Sequence, residues 1–196
     1  MHLAILTREA PDLSLARLRA QGRLFEIRME ELSFTPEETA DLLARGTSVQ
    51  LDEAHIALLQ QKTEGRAAAL QLAMGSLARR NDEEAKEFLE HFSGNDRHII
   101  DYLMDEVLRS QPAEVIEFLD ETSQLDRFNS EICDWVTGRQ NSAKLLTELE
   151  RDNLLILSLD NRRDWFRYHN LFADFLRTRL PKERRKEINE IGRAHV

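Results

Sequence analysis

The chain has 196 residues, 41% hydrophobic and 32% charged, with few Gly and Pro and a formal net charge of -9. This length carries one large or two small domains with real cores, and the composition favours mostly helical, soluble structure over a β-sandwich or a disordered chain. The acidic balance argues against broad electrostatic attachment to DNA or anionic lipid, so any nucleic-acid contact has to be local.

Leu3-Ala4-Ile5-Leu6 reads as a buried strand, and Thr7-Arg8-Glu9 leads from it into Pro11. Leu13, Leu15 and Leu18 then follow at helical spacing, and Leu24-Phe25-Glu26-Ile27 is a second apolar run. Strand, short helix, strand is the expected order, matching the last part of a parallel sheet. A lone buried strand lacks pairing neighbours, so the start reads as cut from a larger sheet. Thr35, Pro36 and Glu37-Glu38 supply an N-cap, a first-turn proline and first-turn acids, predicting a helix through Leu42-Leu43. From Asp52 the apolar residues keep a helical period through Ile56-Leu59, Leu70-Leu72-Leu77, Phe88-Leu89-Phe92, Ile99-Ile100-Leu103-Val107-Leu108 and Val115-Ile116-Leu119. Pro112 marks a new helix start and a domain boundary.

Helices through Ile132-Val136 and Leu145-Leu149 follow, and Cys133, the single cysteine, reads as a small core residue in a reducing compartment. Leu154 to Leu159, a polar turn from Asp160 to Asp164, and Trp165 to Tyr168 read as a hairpin, closed by a helix from Asn170 to Leu180. Helix, helix, hairpin and helix is the order of a winged helix. The predicted fold is mainly α: an α/β sheet remnant at 1–48, a helical domain at 49–111, a winged helix at 112–180 and a tail at 181–196. Residues 190–196 read as a non-native, adapter-derived scar. No apolar run is long enough to span a membrane and no signal-peptide pattern opens the chain, so the expected location is cytoplasmic.

No Gly-rich loop ending in Lys and Ser or Thr is present, nor an apolar strand ending in a magnesium-binding acidic pair, so this chain is expected not to be an enzyme. His2, His55, His91, His98 and His195 show no metal-ligand spacing, and no metal site is expected. Asp82-Glu83-Glu84 read as helix-start acids, Asp105-Glu106 as helix surface and Arg184-Arg185-Lys186 as a solvated run. His169 stands where the last strand passes into the last helix. There it reads either as a hydrogen-bonded core histidine or as a group facing a phosphate. Trp165, Phe166, Tyr168, Leu171 and Phe172 around it read as core. Arg8 would project from the carboxyl end of the first strand, where open sheets place ligands, or simply sit exposed. Gly65 would start a helix whose amides could approach a ligand, or serve only as a helix-start glycine.

Asp164-Trp165-Phe166-Arg167-Tyr168-His169-Asn170-Leu171-Phe172 through Arg177 resembles the closing part of the winged helix in MalT-like regulators of the LuxR family, ATP-dependent transcription activators of the STAND class. Thr63-Glu64-Gly65, Leu70-Gln71-Leu72-Ala73, Asp101-Tyr102-Leu103 with Glu106-Val107-Leu108, and Glu121-Thr122-Ser123 with Leu125-Asp126-Arg127 resemble the same family in order and spacing. The resemblance covers almost the whole chain and implies an internal fragment of a slow ATPase switch whose phosphate loop lies upstream. It implies that Arg8 senses the nucleotide's terminal phosphate, that Gly65 belongs to the nucleotide site in a stretch whose third residue, here Ala67, packs on adenine, and that His169 reaches the ADP diphosphate and locks the winged helix over it. Gly65-Arg66-Ala67 departs from the family's Gly-Trp-Pro or Gly-Trp-Ala. The partners implied are nucleotide, other copies of the parent protein, and promoter DNA through a C-terminal helix-turn-helix outside this chain. The alternative is a stand-alone winged-helix module that binds DNA or protein without nucleotide.

Overall fold

The computed structural model describes residues 3–7, 11, 13–27, 29–151, 154–181, 184, 185 and 188. Arg8 and the 190–196 stretch lie outside them. The fold is mainly α. Helix α1 (Leu15–Ala20) forms as the spacing requires, and Arg19 pairs with Glu26 beyond it at 2.7 Å. The flanking runs, expected to be strands, form no ladder among the described residues, and Leu6 and Phe25 are 95% and 84% exposed. A parallel strand needs hydrogen-bonded neighbours and cover on both faces, and these runs meet neither here.

After α2 (Met29–Leu32), Thr35 and Glu38 form a reciprocal capping box at the start of α3 (Pro36–Gly46). Asp52 caps α4 (Glu53–Thr63), α5 (Ala67–Leu77) follows a tight turn, and a second capping box, Asn81 with Glu84, opens α6 (Asp82–His91). Asp96 caps α7 (Arg97–Tyr102), which runs into a π-helical turn over Leu103–Leu108. There the Arg109 amide reaches back five residues to the Met104 carbonyl at 3.0 Å. The helix expected through Leu108 is thus regular only to Tyr102.

Pro112 stands at the N-cap of α8 (Ala113–Thr122). Asn129 caps α9 (Ser130–Thr137), Gly138 ends it in the left-handed region at φ 70°, and α10 (Ser142–Arg151) follows. Strands β1 (Ile156–Ser158) and β2 (Phe166–Tyr168) pair antiparallel with Ile156 opposite Tyr168, and Phe128 bridges to Phe166 on the other side. The hairpin turn is held by Asp160, whose carboxylate accepts the amides of Arg162, Asp164 and Trp165. Helix α11 (Asn170–Arg179) closes the winged helix.

One continuous apolar core runs from Leu43 to Ile188 and includes Cys133, fully buried, its thiol pushed up by burial and then by Asp134. Phe166, Tyr168, Leu171 and Phe172 join it, while Trp165 is half-buried under Arg127. Tyr168 packs between Phe128, whose ring is tilted to it, and Phe172, which it meets edge to face, and it shares a 2.6 Å hydrogen bond with Thr122. Arg177 of α11 donates to the Ser123 carbonyl and to Asp126, and Arg179 forks onto Asp120. The Glu121 to Arg127 motif is therefore the seat on which α11 is fastened to α8.

Candidate functional site

The turn between α4 and α5 is built from two successive residues in the left-handed region, Glu64 at φ 51° and Gly65 at φ 69°. Glycine adopts that region freely, and at Gly65 it is also required by space, because a Cβ there would run into the Phe34 carbonyl oxygen. The Gly65 carbonyl accepts the Phe34 amide at 2.8 Å, and Gln60 Nε2 donates to the Phe34 carbonyl at 2.6 Å. Gly65 is expected either to begin a helix whose amides approach a ligand or to serve only as a helix-start glycine. It lies instead one residue before the Arg66 N-cap, and what approaches it closely is the backbone of Phe34.

His169 sits at the β2–α11 junction and is 2% exposed. Its Nε2 lies 2.9 Å from the Thr63 carbonyl, 106 residues away in sequence. A carbonyl oxygen only accepts, so Nε2 carries the hydrogen and Nδ1 of the neutral ring is an acceptor. Burial holds the imidazole down at about 4; Glu64 opposes this, and Arg66 adds to it. The backbone amide of His169 donates to the carbonyl of Leu155, itself at φ 54°.

His169, Arg66 and Ala67 line one cavity of about 280 Å³ whose remaining wall is apolar, including Leu72, Ile99 and Phe172. The structure thus brings Gly65's turn and His169 together at one place. Sequence reasoning left out the residues that join them. Glu64 takes Arg167 in a bidentate pair at 2.8 and 3.0 Å, and the same carboxylate accepts the Asn170 amide at 3.0 Å. Burial pushes the Glu64 carboxyl up, but the Arg167 hydrogen bonds, the nearby His169 and the Asn170 amide hold it below its usual value. Asn170 Nδ2 donates to the Gln61 carbonyl at 2.9 Å. Glu64, Arg167 and Asn170 lie inside stretches that were recognisable as motifs, yet nothing local marks them as partners. Among the described residues no cluster of three or more His, Cys, Asp or Glu is placed to hold a metal, and no helix is long and apolar enough to cross a membrane.

Helices α8 to α10, the hairpin and α11 define the class: a helical segment closed by a winged helix. Residues 104–188 match the family model of the MalT winged helix domain. The chain is 37% identical over 195 residues, 99% of its length, to the HTH-type transcriptional regulator MalT of Klebsiella pneumoniae subsp. pneumoniae. It is 36% identical over 195 residues to the regulator of the same name from Klebsiella pneumoniae strain 342. It spans about 22% of the length of these curated relatives. The chain is MalT-like throughout.

Proposed function

We propose that this chain is the lid segment of a cytoplasmic, MalT-like LuxR-family transcription regulator in which bound nucleotide holds the winged helix closed and its exchange frees the parent protein to self-associate and bind promoter DNA. The observation that carries this reading is the cavity in which His169 faces the start of α5, Arg66 and Ala67, across an apolar wall. ADP would be the resting ligand and ATP the activating one. The neutral His169 ring offers a phosphate only an acceptor at Nδ1, so donation requires the imidazolium, which an adjacent diphosphate favours. Gly65 would serve by shaping the turn, and Arg8 would sense the terminal phosphate. The divisions at 48, 111 and 180 separate sheet remnant, helical domain, winged helix and tail in this reading. Catalysis would belong to the parent protein.

Charge supports a gating rather than a DNA-reading role for this winged helix. On α10, Lys144 and Arg151 are matched by Glu148 and Glu150, and Lys144 lies 3.8 Å from Glu148. A reader would concentrate Lys and Arg there. The test is His169→Ala in the parent regulator, read by ADP retention and reporter output with and without inducer. Loss of a bond to a charged group should weaken ADP by roughly 1.5–3 kcal/mol and raise basal transcription. Unchanged ADP affinity with lower basal output would remove His169 from the site.

A further inference from the structure

We propose that Glu64, Arg167 and Asn170 form a nucleotide-independent latch, an autoinhibitory contact that holds the winged helix against the α4–α5 turn. The proposal rests on the reading that this docking is switched, and adds what holds it when no ligand is present.

The seam joins two short runs, 61–64 and 167–170, by reciprocal capping. The carboxyl end of α4 leaves carbonyls without intrahelical partners, and the start of α11 leaves amides in the same position. Across the seam Asn170 Nδ2 donates to the Gln61 carbonyl and His169 Nε2 to the Thr63 carbonyl, each at 2.9 Å. In return the Glu64 carboxylate accepts the Asn170 amide at 3.0 Å, where the helix dipole favours negative charge. The same carboxylate takes both arms of the Arg167 guanidinium, the geometry that makes an ion pair specific as well as strong. Glu64 reaches this position from a left-handed backbone that L residues seldom adopt, so the turn holds the carboxylate in place.

Beside the apolar contacts α11 makes with the shared core and with Gly94, the Glu64–Arg167 part of the seam is polar and near solvent, and this suits a contact that opens. The side chains of Glu64 and Arg167 are 17% and 33% exposed, so water can replace each partner. The other side of α11 is tied to the winged helix: Arg179 forks onto Asp120, and Arg177 holds Ser123 and Asp126. Helix α11 therefore leaves with the winged helix when the seam parts, and the turn stays with α4 and α5.

The test uses the whole chain without nucleotide, with spin labels on Gln71→Cys in α5 and Lys144→Cys in α10, both exposed, while Cys133 is buried. Distance distributions are compared for the otherwise unchanged chain, Glu64→Gln, Arg167→Met, the double variant and Arg167→Lys. Each of the first two single variants should raise the longer-distance population on the order of tenfold, the factor that about 1.4 kcal/mol represents. The double variant should open no further than either single, because both remove one shared contact. Arg167→Lys should fall between, keeping the charge but losing the fork. Urea midpoints guard against misreading a general loss of stability. Unchanged distances in all the variants, additive opening, or opening that only follows global unfolding would overturn the latch. ADP retention by the parent regulator decides the nucleotide reading separately, so either idea can fail alone.

Discussion

Replacing His169 with Gln keeps an N–H able to reach the Thr63 carbonyl and removes the titrating ring, which isolates the cost of charging a buried imidazole. Burial holds His169 at about 4 against an ordinary 6.5. The unfolded chain therefore binds the proton more readily through that interval, and the stability His169 confers is fully present above its unfolded value and lost as pH falls toward its folded one. Between about pH 7 and about pH 5 this amounts to roughly 1.5–2 kcal/mol. Glu64, held below its usual value, loses its contribution in the same direction at lower pH, through its own folded pKa. Urea unfolding of both proteins at the two pH values gives the His169 share by subtraction, since every other group titrates in both. A His169→Gln chain that loses as much stability as the unsubstituted one would refute the claim that the ring is buried and neutral.

Gly94 lies against α11, where an added Cβ would meet the Leu171 carbonyl oxygen and the Phe175 amide nitrogen. Gly94→Ala should cost about 1–3 kcal/mol in denaturant unfolding, and a neutral result would show that α11 does not sit on that loop. Cys133 is fully buried with its thiol pushed up, so a thiol reagent at neutral pH should modify it at least roughly a hundredfold more slowly than after denaturation; equal rates would place it outside the core. The isolated chain should neither bind ATP at micromolar concentration in a calorimeter nor hydrolyse it above a buffer blank, because no loop lysine or magnesium carboxylates meet the phosphates.

Local chemistry made much of the fold legible. Thr35, Pro36 and Glu38 announce α3, Pro112 announces α8, and two apolar runs around Asp160 announce the hairpin, because caps, prolines and turns act over a few residues. The same logic put His169 at the strand–helix junction. The expected strands at 3–6 and 24–27 do not form among the described residues, because an apolar run states only that a surface wants cover, and no sheet that would provide it is formed among those residues. Glu64 and Arg167 escaped notice for a different reason: they are 103 residues apart, and a salt bridge at that separation leaves no periodic trace. The π-helical turn was equally silent, since buried residues at Leu103, Val107 and Leu108 fit four-residue and five-residue spacing alike.

That turn has a consequence for how the chain tolerates change in length. A stretch in which the Arg109 amide reaches back five residues holds one residue more than a regular helix of the same hydrogen-bond count. Deleting exposed Asp105 would restore the four-residue repeat there, whereas the same loss within α4 or α8 would shift every later side chain by about 100° around its axis. Single-residue deletions recovered by selection for a folded protein should therefore concentrate between Leu103 and Leu108.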